Sequence, residues 1–150
     1  MKKAISGLLA ACLTVMLFAG CSSSTEGMKD GTYKASFKNA SHGWTEYIQV
    51  TVKDGKFTDV DFDAVDASGN LKSQSQEYEE AMKNGGSTVG PIEFYPAYEK
   101  ELLDKQDAEK VDAVATATTS GDNLKSLMKA LKKNMQKGDT SEVIVDNPEE

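Results

Sequence analysis

The residues whose types are best suited to binding a ligand lie in the segment VDAVATATTS, residues 111–120. Six of these ten residues are alanine or threonine. The segment precedes a helix-like stretch, and a strand-to-helix junction offers free backbone N–H groups and a helix dipole that suit a phosphate. Small residues let a ligand approach the backbone closely. Its hydroxyl groups belong to Thr116, Thr118, Thr119 and Ser120. A helix N-cap at Ser120 or Asp122 is the simpler interpretation, but it accounts for one polar side chain and not for the run.

A second group of candidate residues lies in SHGWTEY, where His42 is followed by Trp44 and Tyr47. A histidine beside aromatic residues can border a site or belong to a loop that packs on the sheet, and the residue types alone favour the loop. His42 is the only histidine of the chain, so the sequence indicates neither a Ser-His-Asp nor a Cys-His pairing. A single histidine also argues against a zinc site.

The first twenty residues have the pattern of a secretory signal. Lys2 and Lys3 form a basic start, and the apolar run over residues 4–19 is shorter than the roughly 20 residues that a membrane span needs. LFAGC, which ends at Cys21, resembles the lipobox at which bacterial lipoproteins are cleaved and acylated, with Phe18 in place of the usual leucine. Because the polar stretch CSSSTEG provides a tether, we predict a lipid anchor at Cys21 rather than an ordinary signal peptide with a chance cysteine.

Composition restricts the function further. The chain has 150 residues and a formal net charge of −7, and all 17 basic residues are lysine. Removal of residues 1–20 takes away two positive charges and no negative one, which lowers the net charge to −9. An acidic chain without arginine argues against nucleic acid binding, because phosphate contacts need clustered basic residues. Cys12 leaves with the signal and Cys21 carries lipid, so we expect no disulfide and no thiolate metal site.

The elements that must position these residues begin with strands. Residues 30–37, DGTYKASF, predict a first strand. In residues 46–65, apolar and polar residues alternate on both sides of Asp54-Gly55, which predicts a β-hairpin with one buried face. The expected core residues of the hairpin are Val50, Val52, Val60 and Phe62. Three aspartates of its second strand are expected on the solvent face rather than in a metal site, namely Asp59, Asp61 and Asp63.

Helical patterns dominate the second half of the chain. Residues 74–83 suit a short helix, residues 95–106 suit another with Pro96 in its first turn, and residues 111–114 suit a short strand. The last helix has an apolar stripe, made of Leu124, Leu127, Met128, Leu131 and Met135. Its lysines are Lys125, Lys129, Lys132, Lys133 and Lys137. We interpret the lysines as a solvated face favoured by the helix dipole rather than a binding patch.

The predicted organisation is a signal peptide at 1–20, a tether at 21–29, one domain at 30–137 and an acidic tail at 138–150. Residues 143–145 have the composition of an edge strand, but we expect the tail to be loose. The element order predicts an α+β fold, with a small antiparallel sheet and helices packed on it in a single domain. About 110 residues are enough for one modest core.

The order of these motifs resembles the FMN-binding domain family. The resemblance spans residues 29–137 and is carried by DGTY, VTVKDGK, YPAYEKELLDKQ, VDAV and an A-T-x-[TS] tract before a helix. A subunit of sodium-pumping quinone reductases belongs to that family. HGW and EKELLDKQD resemble its branch of cell-surface flavin lipoproteins, which serve extracellular electron transfer in Gram-positive bacteria. The resemblance implies FMN as a covalently attached cofactor.

In that family a threonine carries FMN through its phosphate, in the motif Asp-x-x-Ser-Gly-Ala-Thr. The residues of this chain that match are Asp112, Ala117 and Thr118. Ala115 stands where serine is usual and Thr116 stands where glycine is usual. The resemblance therefore implies that an FMN transferase attaches FMN to Thr118, with the neighbouring Thr119 as the competing hydroxyl.

Two functions remain open at this stage. The first is a lipid-anchored flavoprotein on the extracellular face of the cell membrane, which takes electrons from a membrane quinone-linked donor and passes them to external acceptors such as ferric iron. The resemblance then places His42 and Trp44 in the cofactor site, with Trp44 and Tyr47 as aromatic neighbours of the flavin ring. The second is a flavin-free binding lipoprotein that retains the FMN-binding fold, which the departures at Ala115 and Thr116 favour.

Overall fold

The structure, a computed structural model, describes residues 27–148. Its strands are β1 (Gly31–Phe37), β2 (Thr45–Lys53), β3 (Lys56–Val65) and β4 (Val143–Val145). Its α-helices are α1 (Gln76–Asn84), α2 (Pro91–Lys105) and α3 (Thr118–Lys137), and short 3-10 helices span Lys72–Gln74 and Ala108–Lys110. The strands form one sheet in the order β3-β2-β1-β4. The single-domain α+β fold predicted from the sequence is confirmed.

The sheet is antiparallel except at one edge, where β4 pairs in parallel with β1. The expectation of a loose tail is therefore wrong for Val143–Val145. The tail finds partners because β1 has an open edge: the Lys38 N–H donates to the Val145 carbonyl at 2.8 Å. Beyond β4, the side-chain amide of Asn147 bonds both the N–H and the carbonyl of Asn39 at 2.9 Å. These contacts fasten the tail to the segment that follows β1.

The predicted hairpin forms around Asp54 and Gly55, which have φ values of 50° and 69°. Two consecutive left-handed residues are typical of the tight turn whose twist matches that of paired strands. Val50 lies opposite Val60 and is fully buried. All four expected core residues of the hairpin are at most 7% exposed, which confirms the predicted register.

The aspartates of β3 do not share one environment. Asp59 is exposed and Asp61 is half-buried, but Asp63 is only 4% exposed. Asp63 accepts a hydrogen bond from the Ser73 N–H at 3.1 Å and another from the Ser73 hydroxyl. The prediction of a solvent face is wrong at Asp63, because that carboxylate holds the 3-10 helix at Lys72–Gln74 against the sheet.

Helix α2 begins four residues earlier than predicted. Pro91 occupies its first turn, where a missing N–H costs nothing, and Pro96 lies inside the helix. The Ile92 N–H donates to the Glu79 carboxylate of α1 at 3.0 Å. A Cβ atom on Gly90 would lie 2.1 Å from Glu79 Oε2, so the approach of the two helices requires glycine there. The start of α2 thus depends on a distant carboxylate.

The strand predicted at residues 111–114 is absent from the structure, and α2 is the reason. Its Glu99 carboxylate accepts a hydrogen bond from the Phe62 N–H at 2.9 Å. The Gln106 side chain bonds both the N–H of Phe57, at 2.7 Å, and its carbonyl, at 2.9 Å. These side chains occupy the open edge of β3, where a further strand would have to pair.

The helices cover one face of the sheet and form a single core with it. The predicted apolar stripe of α3 is confirmed, since all five of its residues are at most 5% exposed. Burial of each such side chain contributes about 1.5–3 kcal/mol. Within residues 27–148, none of the helices combines the length and apolar character that a membrane crossing needs.

Candidate functional site

A cavity of about 700 Å³ opens beside the first turn of α3. The tract before α3, the loop after β1, helices α1 and α2 and the residues after β4 all contribute to its walls. The aromatic residues that line it are Phe37, Trp44, Tyr78 and Phe94. The rings of Trp44 and Tyr78 meet edge to face, with centroids 5.9 Å apart. Its size suits a small organic ligand, since such pockets measure roughly 300–1,000 Å³. Its lining combines these aromatic residues with a majority of polar ones.

Helix α3 begins at Thr118, earlier than an N-cap at Ser120 or Asp122 would place it, so that simpler interpretation is wrong. The capping position is Ala117, which offers no side-chain hydrogen bond to the helix. The first N–H groups of a helix have no acceptor within the helix, and they carry the positive end of its dipole. The start of α3 therefore presents backbone donors that the helix itself does not satisfy.

The predicted attachment residue and its competitor occupy different positions in this first turn. Thr118 is exposed and is not among the described residues that line the cavity. Thr119 lines the cavity, and so does the buried Ala117. The Thr118 side chain is thus exposed to solvent, and both of its neighbours in the sequence line the cavity.

Thr116 has a left-handed backbone, with φ at 63°. A β-branched residue in that region is strained, typically by about 1–3 kcal/mol. This is the position at which the FMN-binding domain motif has glycine, which adopts such a conformation freely. The chain therefore keeps a glycine-type turn despite the threonine.

The conformation of the tract is fixed by Tyr98 of α2. Its hydroxyl donates to the Ala117 carbonyl at 2.8 Å and accepts from the Val114 N–H at 3.0 Å. A Cβ atom on Gly121 would lie 2.6 Å from that hydroxyl, so the ring reaches the tract only because residue 121 is glycine. Burial raises the pKa of Tyr98, which keeps the hydroxyl protonated as a donor. These contacts hold the tract from behind.

A buried carboxylate, Glu46, forms the polar centre of the cavity wall and is only 9% exposed. Its Oε1 accepts hydrogen bonds from the hydroxyls of Tyr95 and Ser120, each at 2.7 Å. Its Oε2 accepts from Asn123 Nδ2 at 2.5 Å. Burial, and then the nearby Glu46 charge, raise the pKa of Tyr95. The network connects β2 to the first turn of α3.

Sequence reasoning missed this network, although one signal was available. Glu46 precedes Ile48, Val50 and Val52 at the inward positions of β2. A charged residue in that register must find buried partners. The sequence does not show that these partners come from α2 and α3.

Of the predicted aromatic site residues, the structure brings only some to the cavity. His42 is exposed and lines the cavity mouth, with φ at 50°. Trp44 is half-buried in the lining. Tyr47 occupies an outward position of β2, and its hydroxyl bonds the Asp61 carboxylate at 3.1 Å. Tyr47 is not among the described residues that line the cavity, because successive residues of a strand face opposite sides of the sheet.

Asp112 is exposed and is not among the described residues that line the cavity. Lys105 Nζ lies 2.6 Å from Asp112 Oδ2, and this hydrogen bond holds the pKa of the Asp112 carboxyl below its usual range. The Asp112 N–H donates to the Glu101 carboxylate at 2.7 Å. Asp112 is therefore an ionised surface group at one end of the tract.

The tail contributes a wall that the sequence did not predict. Asn147 and Pro148 line the cavity, and the Asn147 amide holds them against Asn39. Within residues 27–148 no group of three or more His, Cys, Asp or Glu residues is arranged to hold a metal ion. Cys21 lies outside the described residues.

The chain has relatives of known sequence and structure. It is 33% identical over 139 residues to the 15 kDa lipoprotein of Treponema pallidum (strain Nichols), which covers 92% of this chain and 96% of that protein. The crystal structure of a protein from Clostridium perfringens is 32% identical and superimposes with a TM-score of 0.75, covering 81% of this chain and 99% of that one. No family model matches the chain.

The relationship to the Treponema protein extends over nearly the full length of both chains. It agrees with the signal and lipobox pattern that ends at Cys21, and together they indicate a membrane-anchored lipoprotein. The chain belongs to the family of the 15 kDa lipoprotein of Treponema pallidum.

Proposed function

We propose that this protein is an extracellular flavoprotein that carries FMN on Thr118 and passes electrons from the membrane to external acceptors. The observation that carries the proposal is the position of Thr118. Its exposed side chain stands at the start of a 20-residue helix without a side-chain cap, beside a cavity with aromatic walls.

The residues at this site fit FMN in three respects. The uncapped first turn of α3 supplies backbone donors and a positive dipole end for a phosphate. A cavity of about 700 Å³ with aromatic walls can take a flavin ring. Thr116 has a left-handed backbone, and it stands at the position where the FMN-binding motif that the chain resembles has glycine. When bound, FMN supplies the uptake and release of electrons.

The chain itself supplies binding, orientation and exclusion of water. Trp44 and Phe94 give the cavity apolar surface. Glu46 fixes the side chains of Ser120 and Asn123, so the polar groups of the first turn are oriented before a ligand arrives. The tail at Asn147 closes one side of the cavity.

This proposal requires three kinds of partner: an enzyme that attaches FMN, an electron donor and an electron acceptor. An FMN transferase must reach the Thr118 hydroxyl, and the exposure of that residue permits this. The electron donor is a membrane quinone-linked protein, and the acceptors are external species such as ferric iron. The lipoprotein relative supports an anchor that keeps the domain at a membrane.

A second candidate function is a flavin-free binding lipoprotein that uses the same cavity. The observation in its favour is that Thr119, and not Thr118, lines the cavity. Strain at Thr116 and the absence of the usual serine at Ala115 add to it, because both lie within the segment that a transferase must recognise. The ligand would then be held without a covalent bond.

The test is the intact mass of the mature chain after coexpression with a bacterial FMN transferase, with FAD and magnesium supplied. We expect an adduct equal to FMN minus water on the wild type. Thr118→Ala should abolish the adduct because the phosphoester loses its oxygen, while Thr119→Ala is the matched control and should retain it.

Two outcomes would contradict the proposal. Wild-type protein without any adduct would favour the flavin-free binding lipoprotein. An adduct that survives Thr118→Ala but disappears in Thr119→Ala would move the attachment to the hydroxyl that lines the cavity.

A further inference from the structure

Helix α3 carries five lysines that lie together on the side facing away from its buried stripe. We call them the α3 lysine stripe, which consists of Lys125, Lys129, Lys132, Lys133 and Lys137. Four of the five are exposed, and Lys125 is half-buried. No acidic residue of α3 follows Asp122, so nothing within the helix neutralises the stripe.

Ten lysines of the described part of the chain lie outside the stripe, and most of them are paired. Six of them form ion pairs with carboxylates: Lys34, Lys38, Lys83, Lys100, Lys105 and Lys110. Among residues 27–148, no ion pair involves the α3 lysine stripe. Lys125 and Lys137 interact only at longer range, with Asp112 and Asp139. In a mature chain of net charge −9, the stripe is therefore a concentrated positive surface that no direct ion pair neutralises.

The lipid anchor enters the domain at the same helix. The Lys29 N–H donates to the Met135 carbonyl at 2.8 Å, and a Cβ on Gly138 would touch the Lys29 side chain at 3.4 Å. The described chain therefore begins beside the C-terminal end of α3. Seven residue steps separate Cys21 from Met28, so the acylated cysteine lies within about 25 Å of Met28 at roughly 3.5 Å a step.

The candidate site lies at the opposite end of the same helix. A helix of 20 residues is about 30 Å long. If α3 stood upright on the membrane, the cavity would lie about 30 Å further from the bilayer than the C-terminal end of the helix. If α3 lay along the membrane, the anchor, the stripe and the cavity mouth would all stand close to the bilayer surface.

We propose that the α3 lysine stripe lies against the anionic phospholipid headgroups of the membrane that holds the anchor. Basic residues near an anionic bilayer are attracted to it, and the attraction adds over neighbouring lysines. The anchor raises the local concentration of lipid at the stripe. An interaction too weak to bind a free protein to the membrane is therefore enough to orient the anchored one. The inference rests on the lipid anchor and not on FMN.

The sequence pattern predicted a solvated face, which needs no partner. Contact with lipid headgroups is a different role for the same lysines. The same anionic surface repels the acidic remainder of the chain. That repulsion favours the orientation in which the stripe, rather than an acidic part of the surface, faces the lipid. The cavity, which borders the N-terminal end of α3, then lies near the plane of the membrane.

The test uses the mature chain, coupled through the thiol of Cys21, its only cysteine, to a maleimide phospholipid in vesicles. One set of vesicles is phosphatidylcholine alone, and the other also contains phosphatidylglycerol. The acetylation rate of each lysine is read by mass spectrometry. Lys34 and Lys38 serve as internal controls. The alternation of β1 places Lys34 on the sheet face that the helices leave open, and Lys38 is exposed just after the strand.

We expect acetylation of the stripe to slow by about threefold or more on the phosphatidylglycerol vesicles. The rates at Lys34 and Lys38 should not change. Salt at 1 M, which shortens the screening length to about 3 Å, should restore the stripe to its rate on phosphatidylcholine. Equal stripe rates on the two vesicle types would overturn the proposal.

A pair of triple variants separates local from total charge. Lys129→Gln, Lys132→Gln and Lys133→Gln together should abolish the protection of Lys125 and Lys137. Lys100→Gln, Lys105→Gln and Lys110→Gln remove the same charge elsewhere and should leave the protection intact. Stripe protection that is equally strong on pure phosphatidylcholine would indicate contact with another copy of this chain, and that result would also overturn the proposal.

Discussion

At the scale of single residues, the left-handed backbone of Thr116 should cost stability. We predict that Thr116→Gly raises the free energy of unfolding by about 1 kcal/mol. The left-handed φ of 63° strains a β-branched residue by roughly 1–3 kcal/mol, and the greater freedom of glycine in the unfolded chain offsets about 0.5–1 kcal/mol of that gain. Urea unfolding measures the difference.

Thr119→Gly provides the control for this prediction. Thr119 lies in the first turn of α3, where glycine should lower the free energy of unfolding by up to about 1 kcal/mol. If Thr116→Gly were as destabilising as this control, residue 116 would not have the left-handed conformation.

Part of the candidate site could be predicted from residue types, and the rest could not. The run of small and hydroxyl residues indicated the tract, and the structure places Ala117 and Thr119 in the cavity wall. Glu46 gave only the indirect signal of a charge at an inward position. Its partners Tyr95 and Ser120 lie 49 and 74 residues away in the chain, and no local pattern links such positions.

At the scale of elements, the correct predictions are those that depend on local spacing. The hairpin and the apolar stripe of α3 follow from periods of two and 3.6 residues. The start of α2 depends on Glu79, and the absence of a strand at residues 111–114 depends on Gln106 at the edge of β3. The short strand β4 exists because β1 has an open edge. These outcomes follow from contacts between distant segments, which periodicity does not show.

The edge of β3 supports a prediction of pH dependence at Glu99. Its carboxylate accepts the Phe62 N–H, while burial, and then the charges of Asp61, Asp63 and Asp59, raise the pKa of Glu99 above its ordinary 4.5. The protonated form is therefore favoured in the folded state. Its contribution to stability is present below pH 4.5 and is lost as the pH rises through the raised value.

Glu99→Gln keeps an acceptor for the Phe62 N–H and removes the charge. We expect a higher urea midpoint than wild type at pH 7, and a difference that shrinks as the pH falls below 4.5. Glu109→Gln, at an exposed position, controls for net charge and should change the midpoint little. A gain of equal size at pH 7 and at acid pH would show that the Glu99 charge is not responsible.

At the scale of the whole molecule, α3 sets the relation between anchor and site. Its C-terminal end receives the chain from the anchor, its exposed face carries the lysine stripe, and its N-terminal end borders the cavity. With the stripe on the lipid as proposed, this one helix would set both the distance and the orientation of the cavity relative to the membrane. In the proposed function, this arrangement holds the site near a membrane donor while the rest of the acidic surface faces outward.

The predicted lipid anchor depends on a single atom, the sulfur of Cys21. We predict that Cys21→Ala abolishes incorporation of a fatty-acid probe in growing cells and releases the domain from the membrane fraction. The reason is that acylation needs the thiol, and no helix among residues 27–148 could substitute as a membrane span. Cys12→Ala is the matched control, because Cys12 lies within the predicted signal and should not affect labelling of the mature chain. Labelling of Cys21→Ala as strong as that of wild type would show that the lipid is attached elsewhere, and would remove the basis for placing α3 along the membrane.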